Sequence, residues 1–371
     1  MENREIFEDD NASIIGKKRK RNFIHERYPK RRIALMFLYF GWNYEGLICQ
    51  PNTPNTVEEE LKSALLKTCL IEDWETCEWN RCGRTDKFVS GFRQIASLIV
   101  RSTDPKGKFV FCNESILDDK RFKGSELNYT KIMNAVLPKT IQIIAWAPVP
   151  KIFNSRYDCS RRTYKYFFPV ADFDLNAMRK ACTYLIGEHD FRNFCRIDRS
   201  HIKENYVRNI SKPYCMAELT IIASGFLWHQ IRCIMALLYE VGKSRETPEV
   251  SIFVDLLDIT KMPSKPVYGL ASGIPLCFYD CSFDKTDFEW NWDIDAISKV
   301  KNHLLSSWVD LQSNMVDGLN SMVPGLPSDS HGLAEFLKPF GSPSSKIYIP
   351  INMRQSCNIL EDKKGKFAEE K

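Results

Sequence analysis

The sequence predicts an α+β fold, a largely antiparallel sheet flanked by helices. Apolar runs of strand length alternate with amphipathic stretches of helical period, and several of those stretches carry legible caps. The order of elements over 31–150 also recurs, without repeated sequence, over 151–285.

The first candidate strand is "RRIALMFLYFGWNY" (31–44), β-branched and aromatic, ending at Gly41. After the turn-rich "QPNTPNT" comes a helix. Thr56 and Glu59 have capping-box spacing, and Val57, Leu61, Ala64, Leu65 and Thr68 form one face. "QIASLIVRS" (94–102) reads as a strand and 103–128 as a polar loop. "YTKIMNAVL" is a short helix before Pro138, and "TIQIIAWAPV" (140–149) a strand. In the second half "RTYKYFFPV" (162–170) is a strand and "DLNAMRKACTYLIG" (174–187) a helix closing at Gly187. "MAELTIIASG" (216–225) is a strand and "FLWHQIRCIMALLYEVG" (226–242) a strongly apolar helix. Another helix begins at "TPEVSIF", with Thr247 as cap and Pro248 in the first turn, and "PLCFYDCSF" (275–283) is the closing strand. The helices are expected on one side of the sheet. Beyond 286 the pattern weakens to a helix over 296–319 and a Gly/Pro/Ser-rich linker at 324–344. The chain thus divides into a disordered basic arm (1–30), two halves (31–150 and 151–285), and a helical extension with a C-terminal tail (286–371).

A chain of 371 residues is long enough for about two domains. No stretch approaches the roughly 18 apolar residues of a membrane span, and "MENREIFEDDN" lacks the apolar core of a secretory signal, so a soluble intracellular protein is expected. The 13 cysteines include no C-x-x-C pair. Cys277 and Cys281 lie four apart in a strand, which puts both on one face as reduced core thiols, and no structural metal is expected. Net charge is +5, with "KKRKR" (17–21) and "KRR" (30–32) making a basic arm that reads as a nuclear-import signal, a phosphate-contacting tail or a plain solvated tail.

The residues that suggest chemistry lie in "RCGRTDKFVSGFRQ". Asp86 stands between Arg84 and Lys87, which should hold it ionised with a lowered pKa; otherwise it is an ordinary turn carboxylate. Tyr164 in "RRTYKY" suits stacking on a flipped base, or else half-burial in a strand. Arg232 lies in so apolar a helix that it needs a carboxylate, and Asp86 is the partner to propose. His229, three residues earlier on the same side, reads as a packing residue, and Phe226 as core.

"CGRTDKFVSG", "NSRYDCSRRTYKYFF" and "ASGFLWHQIRCIMALLYEVG", in that order and with "GEHDF" between the second and third, resemble the motifs of the TruA family of tRNA pseudouridine synthases over roughly 31–285. "GWNYEGLICQPNTPNTVEEEL", "HDFRNFCRID" and "PLCFYDCSF" are similar to the eukaryotic branch that modifies uridines 38 and 39 of the anticodon stem-loop; "YIPINMRQSCNILED" resembles its tail. The resemblance implies two pseudo-symmetric ferredoxin/RRM-like halves with joined sheets, the active cleft between them, and a homodimer; residence in nucleus and cytoplasm is expected from the import reading of 17–21. It implies isomerisation of uridine to pseudouridine in tRNA without a cofactor. Asp86 would be the nucleophile, Tyr164 the neighbour of the target base, Arg232 the basic partner of Asp86, and Arg84 a contact to the RNA backbone or an aid to flipping.

One departure matters. The family's glycine two places after the aspartate is Phe88 here, and Gly91 and Arg93 also depart from the usual small residues. Phenylalanine resists a positive φ, so the loop is expected to shift, with Gly91 supplying the lost freedom, or the chain is a non-catalytic tRNA-binding protein on the same scaffold.

Overall fold

"RRIALMFLYF" is apolar almost throughout because both of its faces are covered. Strand β1 (Lys30–Tyr39) is buried from Arg31 onward. The computed structural model describes residues 23–122, 124–168, 173–196, 207–210, 214–215, 218–247, 252–304, 306 and 348–357. The 17–21 basic run, the 324–344 linker and Pro248 lie outside those residues. Arg31 and Arg32 do not belong to a basic arm: they sit in β1, buried, with Arg31 Nη1 2.8 Å from Glu126 and Arg32 Nε donating to the Phe153 carbonyl at 2.9 Å.

Helix α1 (Val57–Lys67) starts where the capping pattern places it, with the Thr56 hydroxyl accepting from the Glu59 N–H at 3.3 Å. It lays Val57, Leu61, Ala64 and Leu65 on the odd-numbered face of β1, against Ile33, Leu35, Phe37 and Tyr39. Strand β2 (Asn80–Arg81) pairs with β3 (Ser90–Arg101), which begins earlier than its apolar pattern suggests. The expected 103–128 loop contains β4 (Val110–Phe111), paired with β1, and a single turn of helix, α2 (Glu114–Leu117). Helix α3 (Tyr129–Asn134) and β5 (Ile141–Pro148) complete the first half.

The second half runs β6 (Arg161–Phe167), α4 (Leu175–Thr183), β7 (Gly187–Asp190), β8 (Val207–Ile210), β9 (Tyr214–Cys215), β10 (Glu218–Ala223), α5 (Gln230–Gly242), α6 (Ile252–Leu257) and β11 (Leu276–Ser282). Gly187 does not close α4; it opens β7 at φ +105°. Helix α5 starts four residues later than its apolar run, because His229 sits in a left-handed conformation (φ 62°) and turns the chain. After β11 comes β12 (Asn291–Trp292), and residues 294–304 are helical.

Among the described residues the strands form one mixed sheet in the order β12-β5-β1-β3-β11-β6-β10-β8-β7. Its pairs are antiparallel except at the centre, where β11 runs parallel to β3 through Cys277↔Ser90 and Phe278↔Gly91. This seam explains the early start of β3: its first residues are recruited by a strand nearly two hundred positions away.

The helices are not confined to one side. The even-numbered face of β1 (Ala34, Met36, Leu38, Phe40) joins a second core that includes the segment after β11. Phe288 stacks on Trp290 at 4.7 Å, Phe153 meets Phe288 edge-on at 5.6 Å, and His303 of the 294–304 helix packs on Phe40 at 5.7 Å. Strand β10, by contrast, alternates buried and half-buried residues, as a sheet covered on one face does. Cys277 and Cys281 also fall on opposite faces. A bulge between Phe278 and Asp280 inverts the alternation, so Cys281 shares the core with Leu276 and Phe278 while Cys277 does not. The segment 348–357 docks on the second half: Ile351 is fully buried, its N–H donates to Glu246 Oε1 at 2.8 Å, and Ser356 bridges to Pro266. Among the described residues no helix is long and apolar enough to cross a membrane.

Candidate active site

The turn between β2 and β3 carries "CGRTDKFV", and long-range contacts hold it from both halves of the chain. From the first half, the buried Gln94 amide clamps Gly83, donating to its carbonyl at 2.9 Å and accepting from its N–H at 3.2 Å. The Tyr39 hydroxyl meets the Thr85 hydroxyl at 2.8 Å, and the Thr85 carbonyl accepts from the Leu47 N–H at 3.2 Å. Gly46 (φ +127°) allows that approach, since a Cβ there would lie 3.3 Å from the Thr85 carbonyl oxygen.

From the second half comes Arg162. Its guanidinium makes five hydrogen bonds: two to the Cys82 carbonyl and one each to the carbonyls of Arg156, Cys159 and Ser224. One planar fork thereby fastens the Asp86 turn, the approach to β6 and the turn before α5. Two residues along β6, the Tyr164 hydroxyl donates to the Arg84 carbonyl at 3.3 Å, and the Tyr164 ring sits edge-on between Phe226 (5.0 Å) and Phe278 (5.1 Å). Burial raises its phenol pKa well above the ordinary value, so the phenol stays neutral.

These elements enclose a cleft of about 820 Å³ that Arg84, Asp86, Tyr164, Trp228, His229 and Arg232 all line. The structure therefore brings together every residue singled out in the sequence, although Tyr164 and Arg232 arrive from separate elements of the other half. Phe226 also lines the cleft and is only partly buried, so it is not simply core.

The electrostatics differ from those expected along the chain. Arg84 and Lys87 do not hold the Asp86 pKa down. Both are exposed, and Lys87 Nζ is committed to Glu45 at 2.7 Å. Burial dominates and raises the Asp86 pKa above the usual aspartate value, opposed by the Arg232 charge and by a hydrogen bond from the Trp228 side chain. Arg232 donates through Nε to the Ala271 carbonyl at 2.7 Å, and among the described residues no ion pair within 4.0 Å joins it to Asp86. It acts on the carboxylate through its field, while His229 lies closer, with Nε2 3.5 Å from Oδ2. Sequence reasoning passed over Gln94, Tyr39 and Arg162. Only Arg162 left a signal, a second arginine in a strand otherwise alternating toward a core.

Phe88 is accommodated within the turn. It occupies the left-handed region itself, at φ 69°, with its N–H donating to the Tyr44 carbonyl at 3.2 Å and Lys87 Nζ over its ring at 4.7 Å. Gly91 does not take over the turn. It lies inside β3 opposite Tyr39, where a Cβ would fall 2.7 Å from the tyrosine ring. A phenylalanine thus holds the conformation that glycine adopts freely, at a cost of roughly 1–2 kcal/mol. Phe88→Gly is expected to leave the unfolding free energy in urea within about 1 kcal/mol of the parent, released strain offsetting the lost ring, whereas Phe88→Val should lose about 2 kcal/mol. Equal losses in both variants would contradict the strain.

Among the described residues no cluster of three or more His, Cys, Asp or Glu side chains is arranged to hold a metal ion. The sequence model described as tRNA pseudouridine synthase matches residues 181–284. The chain is 42% identical over 398 residues to the probable tRNA pseudouridine synthase tag-124 of Caenorhabditis elegans, covering 100% of this chain and 98% of that one. It is 39% identical to the tRNA pseudouridine(38/39) synthase of Bos taurus, covering 97% of this chain and 81% of that one. For the enzyme of the same description from Saccharomyces cerevisiae the identity is 37%, covering 99% and 84%.

Proposed function

The chain belongs to the TruA family of tRNA pseudouridine synthases, and on that premise we propose that Asp86 is the nucleophile with which it isomerises uridine in the anticodon stem-loop, at positions 38 and 39. The observation that carries this reading is the placement of Asp86: a carboxylate on the wall of a cleft, within the field of Arg232 and beside Tyr164. The reaction breaks the N1–C1′ bond, forms C5–C1′, and exchanges the hydrogen on C5 for one on N1. It is an isomerisation, so no cofactor enters its balance. Addition of the carboxylate to the uracil ring and attack at C1′ use the same side chain from the same position. Burial that raises the Asp86 pKa also raises the intrinsic nucleophilicity of the ionised form, while Arg232 keeps that form populated.

Tyr164, a neutral phenol with its edge in the cleft, is the neighbour of the flipped base, and the exposed Arg84 is placed to meet a phosphate. Two ferredoxin/RRM-like halves fit the topology. In each, a first strand (β1 or β6) lies between two antiparallel partners, and helices follow in the same order. Homodimerisation is part of this reading and rests on the family likeness. Residence in nucleus and cytoplasm rests on the basic run at 17–21.

The test is tritium release from tRNA labelled at uridine C5, followed by mapping of the product. Stoichiometric release with pseudouridine at 38 or 39 is expected, and product confined to other positions would refute the assignment. Affinity for tRNA should also fall by about tenfold or more between about 50 and about 200 mM salt, as binding through Lys and Arg contacts requires.

A further inference from the structure

The ionisable side chain within 4.0 Å of the Asp86 carboxylate, among the described residues, is neither of the cations that flank it in sequence nor Arg232, but His229. Its side chain is 9% exposed, its Nε2 lies 3.5 Å from Asp86 Oδ2, and its Nδ1 is buried without a hydrogen-bond partner among the described residues. The ring is stacked on Trp228 at 4.2 Å. The backbone beneath it is left-handed, φ 62°, a conformation that few non-glycine residues adopt and that histidine adopts more readily than most. The conformation is built in: the His229 carbonyl starts α5 by accepting from the Cys233 N–H at 2.9 Å, and the neighbouring Trp228 carbonyl is tied to the Arg196 N–H at 3.1 Å. A packing role alone explains the stacking. It does not explain a left-handed turn that aims one ring nitrogen at the carboxylate while leaving the other without a partner among the described residues.

We propose that His229 is the positioning residue for Asp86. As a neutral imidazole it presents an Nε2–H to Oδ2, fixes the rotation of the carboxylate, and leaves Oδ1 to meet the uridine. The separation of 3.5 Å is longer than a formed hydrogen bond and of the kind that closes when substrate docks. Neutrality is maintained by the surroundings. Burial is the main influence that pushes the His229 pKa down, to about 3, with the Arg232 and Arg196 charges acting in the same direction. The groups facing Asp86 are Arg232, the Trp228 side chain, the neutral Tyr164 and His229 itself. The Trp228 side chain already donates to the carboxylate, and His229, stacked on it, faces Oδ2 as a second neutral donor. A neutral donor also leaves Asp86 anionic: a charged imidazolium would hold the carboxylate as a tight ion pair and blunt it as a nucleophile.

This inference rests on the reading of Asp86 as nucleophile, and the experiment separates the two. His229→Gly, His229→Gln and Asp86→Ala are compared in full-length protein by single-turnover tritium release from about pH 5 to about pH 9, alongside tRNA binding. Glycine relieves the left-handed backbone, so its variant isolates the loss of the ring; glutamine carries an amide donor near the Nε2 position. His229→Gly should be slower by about 10- to 100-fold, with tRNA affinity within about twofold of the parent. Its acidic limb should move to higher pH, because a carboxylate without its donor is harder to ionise. His229→Gln should recover most of the rate and return the limb toward that of the parent. A slower His229→Gly with an unmoved acidic limb would reduce His229 to packing and overturn the proposal, as would an unchanged rate. Tritium release by Asp86→Ala would instead remove the nucleophile assignment on which the proposal stands.

Discussion

Asp86→Asn should abolish pseudouridine formation, by at least about 10⁴-fold, and at neutral pH should raise the melting temperature. The first effect follows from the loss of the only carboxylate that lines the cleft among the described residues. The second follows from linkage. The Asp86 pKa is raised by burial, so the folded protein binds the proton more tightly than the unfolded chain does. Stability therefore falls as pH rises from the unfolded value, 3.8, through the folded one, and above that window the ionised group is a standing burden. Arg232 does not reverse the sign, because its attraction is already included and is outweighed by the burial. The stabilising effect of asparagine should accordingly be full at neutral pH and shrink as both proteins are acidified into the window. Parallel thermal melts of parent and variant across that range give the answer, and a variant less stable than the parent at neutral pH would show that Arg232 requires its counter-charge more than Asp86 resents its burial.

Arg162→Met should cost about 3 kcal/mol in urea denaturation and slow single-turnover catalysis by more than tenfold. Methionine keeps the aliphatic stem and removes all five hydrogen bonds, so the carbonyls of Cys82, Arg156, Cys159 and Ser224 lose a shared donor. Three of the segments released line the cleft, and Cys82 is four residues from the nucleophile. Arg162→Lys should recover only part of either loss, since a single ammonium cannot span a fork's worth of carbonyls on separate segments. A full recovery by lysine would mean that charge, rather than the planar geometry, holds the loop.

What could be read from the sequence divides by how far apart the partners lie. The start of α1 was legible because Thr56 and Glu59 are three residues apart and the cap is complete within them. The first strand was legible because burial of both faces writes an unbroken apolar run. The start of α5 was not. "FLWH" is as apolar as the helix that follows, and what stops the helix is a left-handed residue whose carbonyl and neighbours are tied elsewhere. The two faces of β11 were misassigned because one bulged residue inverts every side chain beyond it. At the site, Asp86, Tyr164, Arg84 and Arg232 were found through motifs. The residues that hold them, Tyr39 and Arg162, act across 46 and 80 positions, and only Arg162 left a trace, as a second arginine in a core-facing strand. The acidity of Asp86 was misjudged for the same reason: neighbours in sequence, Arg84 and Lys87, were counted, while the neighbours in space are Trp228, His229 and Arg232.

The left-handed Phe88 bears on how such enzymes are found. A pattern written in letters, with glycine fixed two places after the aspartate, would pass over this chain, and the family match itself covers only 181–284, away from the Asp86 turn. The turn nevertheless carries at that position a left-handed dihedral of the kind glycine adopts freely, held by the Tyr44 carbonyl and the turn's other moorings. The transferable signature of the motif is thus an angle rather than a residue, and a search that scores backbone geometry around an Arg-Thr-Asp turn would recover synthases that a text search discards.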